Sequence, residues 1–167
     1  YKIIKKLNIS DSIFVKSVKQ FKGLPHRQEK IFLNKKITCI NDSKATSFES
    51  SLQSLSNYDN IYWIVGGLPK QNDNFVLKNV CRRINKAYII GKHTAHFANQ
   101  IKKNIPYTIS FNLKNAVSNI YSDIYDNKNI SSTILFSPAA ASFDQFNNFE
   151  ERGEFFRNLV EKKFRYI

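Results

Sequence analysis

The segment ITCINDSKAT, residues 37–46, decides the predicted fold because an apolar run changes there into a polar loop. Its first half is rich in β-branched residues, which are typical of a strand, and the polar run from Asn41 to Thr46 ends that strand. Apolar residues then recur at helical spacing, at Phe48, Leu52 and Leu55. A strand, a polar loop and an amphipathic helix in succession are the repeating unit of an α/β fold.

Similar units fill most of the chain on both sides of this segment. After the strand at 37–40 we predict strands at 61–65, 87–90, 107–109 and 133–136, all of them parallel. An earlier run, 29–33, is separated from 36–40 only by Asn34 and Lys35 and is predicted to be an antiparallel hairpin partner. The predicted fold class is α/β: a Rossmann-like three-layer domain with a six-stranded mostly parallel sheet, five strands parallel and one antiparallel, and helices on both faces.

Apolar stripes predict the helices that cover this sheet. Besides the helix after residue 46, the stripes are Phe75 or Val76 with Val80 and Ile84, Phe97 with Ile101, and Leu113 with Val117, Ile120 and Ile124. The last helix is predicted from Asn148 to about Phe164, with Asn148 and Glu151 as an N-terminal cap pair.

The beginning of the chain fits this scheme poorly. A helix is predicted over 10–20, but no strand precedes it, so we interpret residues 1–20 as part of another domain. The best boundary is Gly23-Leu24-Pro25, because glycine and proline interrupt regular structure. The chain starts at Tyr1 and contains no Met, so we expect further sequence before it.

The composition narrows the classes of function. There are 26 Lys and Arg residues against 13 Asp and Glu, and the net charge of +13 invites a nucleic-acid-binding interpretation. The lysines are spread over every segment, so we favour a solvated basic surface. No apolar run is long enough to span a membrane, and Cys39 and Cys81 lack metal-ligand spacing, which suits a reducing, cytoplasmic location.

Polar loops follow three of the predicted parallel strands, at the edge where open sheets bind ligands. The loop 41–46 includes a lysine near a helix start, which helix capping does not explain, although capping remains the alternative for Asp42, Ser43 and Thr46. The loops 66–70 and 137–146 add a second lysine, glycines and small residues. An ordinary turn is the alternative for the first loop, and helix capping, with Ser142 and Gln145 spaced as in a capping box, is the alternative for the second. Together they predict a site for a small compound with two carboxylates, such as glutamate.

Familiar catalytic motifs are absent from the sequence. There is no GxxxxGK[ST], GxSxG or HExxH pattern, and Gly91-Lys92-His93-Thr94 lacks the upstream glycine and the final residue of a phosphate-binding loop. His93 and His96 have no acidic residues close by in the sequence, so we expect surface residues and no metal site.

Four motifs, in family order, resemble the C-terminal region of the Mur ligase family, and specifically of the members that add D-glutamate to UDP-N-acetylmuramoyl-L-alanine. They are Gly23 to Arg27, Asn41 to Thr46, Gly66-Gly67 with Lys70, and Ser137 to Phe146 with Asn148 to Glu150 and Arg152-Gly153. The resemblance implies an amino-acid-binding domain over 21–167, with 1–20 left from the central ATPase domain. It also implies ATP and Mg²⁺ in the intact enzyme, an acyl-phosphate intermediate, and a fragment that is inactive alone.

The resemblance also implies partners and leaves alternatives. D-glutamate would bind this domain, whereas UDP-N-acetylmuramoyl-L-alanine and ATP would bind through the missing domains, in a monomer without nucleic-acid or membrane partners. Another amide ligase of the Mur or folylpolyglutamate type shares the domain plan. A basic nucleic-acid-binding module is the alternative from a different class, and it would need its lysines and aromatics gathered on one face.

The resemblance assigns roles residue by residue. D-glutamate would be held by Lys70, Thr46, Ser142, Phe143 and Phe149. The nucleotide side would consist of Arg27, Asp42 and Lys44, with Lys44 and Arg27 as the catalytic residues. A surface salt bridge or a solvated charge is the alternative for Arg27, and His26 is expected to pack or to form hydrogen bonds. The sequence departs from the family pattern at Ser47, where Asn is common, and in a slightly longer run over 70–75.

Overall fold

The computed structural model describes residues 1–32, 36–126 and 131–164. Within them the strands are β1 Glu29–Phe32, β2 Ile37–Asn41, β3 Ile61–Gly66, β4 Ile84–Ile90, β5 Tyr107–Phe111 and β6 Ser132–Phe136. The helices are α1 Lys2–Lys6, α2 Asp11–Gln20, α3 Phe48–Asn57, α4 Thr94–Ile101, α5 Leu113–Asp126 and α6 Phe149–Phe164, with a 3-10 helix at Cys81–Arg83.

The strands form one sheet in the order β1-β2-β6-β3-β4-β5. β1 runs antiparallel to β2, and every other neighbouring pair is parallel. The predicted fold class, with five parallel strands and one antiparallel strand, is therefore confirmed. The turn predicted at Asn34 and Lys35 lies outside the described residues.

Helices cover both faces of the sheet, as predicted. α3 and α4 bury Phe48, Leu55, Phe97 and Ile101 against one face. α5 and α6 bury their apolar stripes against the other face, beside Tyr62, Ile64 and Phe136. β3 is buried along its whole length, as expected for a central strand between two helical layers.

One predicted helix is wrong. The apolar residues from Phe75 to Ile84 do not share a helix: they lie in an irregular segment that ends in the 3-10 turn, and Ile84 begins β4. Phe75 instead stacks on Phe48, with ring centroids 4.4 Å apart, and its backbone N–H donates to the side chain of Gln100 at 3.2 Å. Tertiary contacts therefore bury these apolar side chains one by one, without helical periodicity.

The first two helices remain outside the core. Neither α1 nor α2 buries a residue, and Ile3, Ile13 and Val18 are exposed. Ser10 caps α2 by accepting a hydrogen bond from the backbone of Ile13 at 3.4 Å. Among the described residues, no helix combines the length and the apolar character needed to cross a membrane.

Candidate functional site

The candidate site lies where β2, β6 and β3 end. Asn41 is paired with Phe136, and Phe136 with Ile64, so the loops after these three strands start side by side. The loop after β2 leads to α3 on one face of the sheet, whereas the loop after β6, the strand between β2 and β3, leads to α6 on the other face, so the strand order switches here. Open α/β sheets bind their ligands at such a point.

A polar cavity of about 400 Å³ opens beside the loop after β2. Its lining includes the four predicted site residues of this region, which are Arg27, Asp42, Lys44 and Thr46. The other lining residues, which were not predicted as site residues, are Gln28, Ala45, Ser50 and Gln53. The structure thus brings Arg27, Asp42 and Lys44 together, and it places Thr46 with them.

Helix capping does not account for the loop after β2. α3 is capped by Ser47, whose hydroxyl accepts from the backbone of Ser50 at 3.4 Å, and the carboxylate of Asp73 accepts from the backbone of Phe48 at 2.7 Å. Asp42, Ser43 and Thr46 therefore do not cap this helix. Ser47 also explains one departure from the family pattern, because Ser and Asn are interchangeable as N-caps.

Asp42 is a buried carboxylate held by neutral donors. Its oxygens accept hydrogen bonds from the hydroxyls of Ser54 at 2.6 Å and Ser137 at 2.9 Å and from the backbone of Gln28 at 3.2 Å. Burial raises the pKa of Asp42 above its ordinary value, although these bonds and the charge of Arg27 act in the opposite direction. Because Gln28 lines the cavity and Ser137 follows β6, the carboxylate of Asp42 connects the cavity wall to the end of β6.

The backbone of Lys44 is fixed by a hydrogen bond, whereas its ammonium group has no acidic partner among the described residues. Its N–H donates to the carbonyl of His26 at 3.0 Å, and its Nζ lies 3.9 Å from the ring centroid of Phe149. No carboxylate in the described part of the chain forms an ion pair with Lys44. An ammonium over an aromatic face, without a counter-ion, is suited to receive an anion.

Arg27 follows a residue in an unusual backbone conformation. His26 has φ +59° and is buried, and its ring nitrogen Nδ1 lies 3.0 Å from the side-chain amide of Asn41. The prediction that His26 packs and forms hydrogen bonds is confirmed. The guanidinium of Arg27 is exposed and forms no salt bridge within the described ranges, so the alternative of a surface ion pair is not observed.

The glycines after β3 allow close backbone contacts. A Cβ on Gly66 would lie 2.1 Å from the carbonyl oxygen of Ile90, and one on Gly67 would lie 2.4 Å from that of Ala141. Leu68 and Ala141 exchange two backbone hydrogen bonds, at 2.9 and 3.0 Å. This bridge joins the loop that carries Lys70 to the loop that carries Ser142.

The residues predicted to hold glutamate differ in exposure. Ser142 is buried, and its hydroxyl has no hydrogen-bond partner among the residues that the structure describes. Lys70 is exposed and unpaired in the same range, Phe143 is 69% exposed, and Phe149 is half-buried under Lys44. The spacing of Ser142 and Gln145 does not form a capping box, because Gln145 donates to the carbonyl, not the hydroxyl, of Ser142 at 3.0 Å.

Arg152 was not predicted as a site residue, although it ties the loops together. Its side chain is 1% exposed; Nε donates to the hydroxyl of Ser43 at 3.1 Å, and Nη2 donates to the carbonyls of Ser43 at 2.8 Å and Ala140 at 3.0 Å. Burial lowers the pKa of Arg152 to about 10, and Asp144 partly opposes this shift. The sequence signal was an Arg inside a predicted helix that also carries apolar residues.

Within the described residues, no group of three or more His, Cys, Asp or Glu side chains could hold a metal ion. His93 and His96 are exposed, and the ring of His96 lies edge-on to Phe97 at 5.2 Å. The two cysteines are free thiols, Cys39 buried in the sheet and Cys81 half-buried.

Curated relatives share one description, UDP-N-acetylmuramoylalanine–D-glutamate ligase. The protein from Wolbachia sp. subsp. Brugia malayi is 41% identical over 160 residues, which is 96% of this chain and 32% of that protein. The Rhizobium johnstonii protein is 43% identical over 81% of this chain and 29% of its own length, and the Rickettsia prowazekii protein is 38% identical over 97% and 36%. No protein-family model matches the chain.

The chain thus spans about a third of the length of the relatives it matches. The matches support the resemblance that the motifs indicated. They do not favour the two alternatives, a folylpolyglutamate-type ligase or a nucleic-acid-binding module. The relatives match 81–97% of this chain, which includes the six-stranded sheet and the loops at its carboxyl edge. The chain belongs to the Mur ligase family, as the counterpart of the C-terminal domain of UDP-N-acetylmuramoylalanine–D-glutamate ligase.

Proposed function

We propose that this domain binds D-glutamate and closes over the ATP site of a ligase that joins D-glutamate to UDP-N-acetylmuramoyl-L-alanine. The observation that carries the proposal is the set of unpaired cations at the carboxyl edge of the sheet. Arg27, Lys44 and Lys70 form no ion pair with any residue that the structure describes, although each follows or precedes a strand end at that edge. Cations left without acidic partners at a ligand-binding edge favour an anionic substrate.

D-glutamate would occupy the side of the site formed by the loops after β3 and β6, and Thr46 would reach it from the loop after β2. The ammonium of Lys70 would pair with one carboxylate, and the hydroxyls of Thr46 and Ser142 would donate to the carboxylates. Phe143 and Phe149 would flank the aliphatic part of the amino acid. Because the Leu68–Ala141 bridge fixes one loop against the other, the amine would be held in one orientation for attack.

The nucleotide would occupy the side formed by Arg27, Asp42 and Lys44. ATP would supply the phosphoryl group that activates the carboxylate of the muramoyl precursor as an acyl phosphate. The two cations would screen the negative charge that develops on the phosphoryl oxygens, and we assign them the catalytic roles. The buried Asp42 would keep the wall of the cavity in place. Mg²⁺, like ATP, would be a cofactor of the intact enzyme.

The other two thirds of the relatives' length would supply what this domain lacks. Residues 1–20, which bury nothing against the sheet, would belong to the central ATPase domain, and 21–167 would form the amino-acid-binding domain. On this proposal the 167-residue chain is a cytoplasmic monomer that binds D-glutamate weakly and does not catalyse ligation alone. UDP-N-acetylmuramoyl-L-alanine and ATP would be held mainly by the other domains.

The proposal is tested by an NMR titration of the 167-residue chain with D-glutamate and, separately, with L-glutamate. Backbone amides of Thr46, Lys70 and Ser142 are expected to shift with the D-form, and to shift less with the L-form. Lys70→Ala should weaken binding about tenfold, since it removes a charge-assisted hydrogen bond. Lys103→Ala is the matched control, because Lys103 is an exposed lysine ahead of β5, at the opposite edge of the sheet. Equal effects of the two substitutions would contradict the proposed site.

A further inference from the structure

The first turns of α6 hold the loop after β2 through an unusual set of contacts. The hydroxyl of Ser43 donates to the carbonyl of Phe149 at 2.8 Å, and the side-chain amide of Asn41 donates to that of Gly153 at 3.0 Å. Arg152 adds the bonds to the hydroxyl and carbonyl of Ser43. Lys44, the residue after Ser43, is thereby held between a fixed backbone and the Phe149 ring.

Arg152 also reaches the loop after β6. Its Nη2 donates to the carbonyl of Ala140, two residues before Ser142, and its Nη1 faces Gly67, where an added Cβ would lie 3.3 Å away. One guanidinium therefore forms hydrogen bonds with the loops after β2 and β6 and lies beside the loop after β3. In the proposed function these loops form the nucleotide side and the glutamate side of one site.

The cost of burying this guanidinium argues against a role in stability alone. Arg152 forms no ion pair within the described ranges, and Nη1 is a buried donor without a hydrogen-bond partner. Burial of a cation among neutral acceptors is unfavourable, and an apolar side chain of similar volume serves a core at least as well. A planar guanidinium is useful here because its rigid fork holds two separate carbonyls at a fixed spacing.

Gly153 completes the arrangement next to Arg152. A Cβ at this position would lie 2.3 Å from Nδ1 of His26, so the helix can approach the His26–Lys44 backbone contact only if it carries glycine there. The pair Arg152-Gly153 thus sets the distance between α6 and the loop after β2 on both sides of that contact.

We propose that Arg152 is a positioning residue that places Lys44 over Phe149 and couples the loop after β2 to the loop after β6. Its side chain is almost fully buried, so it would act through Lys44 and the loop backbones and not on a ligand directly. The effect on ligand binding rests on the proposed function, but the placement of Lys44 does not depend on any ligand.

The placement is tested in the free 167-residue chain by the chemical shift of the Lys44 ε-protons. A proton above an aromatic ring is shifted upfield, and Nζ of Lys44 lies 3.9 Å from the centroid of Phe149. Lys163, whose Nζ lies 4.6 Å from the centroid of Tyr121, provides an internal control at the opposite end of α6 from Arg152. Arg152→Met should abolish the upfield shift of Lys44 and leave that of Lys163 unchanged, while Arg152→Lys should restore it in part.

A role in stability alone predicts a different result, because global loosening would change both lysine signals together. An unchanged Lys44 shift in folded Arg152→Met overturns the proposal. If Arg152→Met does not fold, Ser43→Ala decides: it removes the acceptor of Nε and the donor to Phe149, and it should reduce the Lys44 shift. A folded Ser43→Ala variant with the wild-type shift also overturns the proposal.

Ligand titration separates this inference from the proposed function. With inorganic pyrophosphate as the probe of the Lys44 side, Arg152→Met should lose about tenfold in affinity. Arg83→Met, which breaks the salt bridge of Arg83 with Asp59 instead, should bind as the wild type does. If the wild-type chain binds neither pyrophosphate nor D-glutamate, the proposed function fails, while the Lys44 shift still tests the role of Arg152.

Discussion

At the scale of single residues, Asp42 links the stability of the domain to pH. Burial raises the pKa of its carboxyl in the folded chain above the unfolded value. Between the ordinary value of 3.8 and the raised pKa, the folded chain binds more protons than the unfolded chain, so the contribution of this group falls as the pH rises through that window. The carboxylate is therefore kept at a cost in stability.

Asp42→Asn should remove this cost without breaking the hydrogen-bond network. The amide oxygen can accept from Gln28, and the amide N–H groups can donate to Ser54 and Ser137, whose hydroxyls can reverse. Denaturant midpoints should be measured from pH 4 to pH 7 for both proteins. The stability of the variant relative to that of the wild type should increase as the pH rises. A decrease in the relative stability of the variant over this range would contradict burial as the main cause of the raised pKa of Asp42.

Gly67 offers a second prediction at this scale. Its φ is +141°, and a Cβ would lie 2.4 Å from the carbonyl oxygen of Ala141, whereas Gly23, with φ +84°, has no atom within 4 Å of its added Cβ. Gly23→Ala should cost about 1 kcal/mol of unfolding free energy from backbone strain alone. Gly67→Ala should cost at least about 2 kcal/mol more, because the Leu68–Ala141 bridge must move. Chemical denaturation of both variants gives the comparison, and equal losses would argue against the steric conflict.

At the scale of elements, the start of α3 explains why the chain tolerates Ser47. Ser47→Ala should lower the unfolding free energy by about 1 kcal/mol, and Ser47→Asn should leave it nearly unchanged, because Asn caps a helix as well as Ser does. Thermal unfolding followed by circular dichroism can resolve this difference. A loss of equal size in both variants would show that the hydroxyl serves some purpose other than capping.

The helices and strands that could be predicted from the sequence are those with an unbroken apolar period. The alternation of strand patterns and apolar stripes predicted the sheet and α3 to α6. The rule for carboxyl edges predicted Lys44 and Lys70 as site residues, and that assignment stays a prediction. The segment from Phe75 to Ile84 was mispredicted because its apolar residues happen to recur near helical spacing, while aromatic stacking on Phe48 buries Phe75. The spacing of apolar residues alone cannot distinguish burial along one face of a helix from burial by separate tertiary contacts.

Arg152 could not be predicted for a different reason. Its hydrogen bond joins it to Ser43 across 109 residues, and nothing in either local sequence specifies that partner. A polar residue on the core side of a predicted helix is a weak signal, because Arg can extend its stem along apolar surface and expose its charge. Only the packing of α6 beside the end of β2 determines that the guanidinium is buried there.

At the scale of the whole molecule, the net charge of +13 predicts opposite salt effects on stability and on binding. Raising the ionic strength from about 0.01 to about 0.1 M shortens the screening length from ~30 to ~10 Å. Repulsion among the excess cations then weakens, so the melting temperature should rise by a few degrees in sodium chloride. Affinity for pyrophosphate should fall over the same range, because Arg27 and Lys44 attract it less. Calorimetry under both conditions checks the pair of effects, and a fall in melting temperature would contradict the first.

The position of β6 in the sheet has a consequence for how the protein is made. β6 lies between β2 and β3 although it is the last strand of the sheet in the chain. During synthesis on the ribosome, β2 and β3 therefore emerge before the strand that pairs with both of them, and the backbone N–H and C=O groups along their facing edges stay unpaired until residues 132–136 arrive. Folding must wait for nearly the entire domain, and such late insertion of a central strand makes the nascent chain a natural client for molecular chaperones.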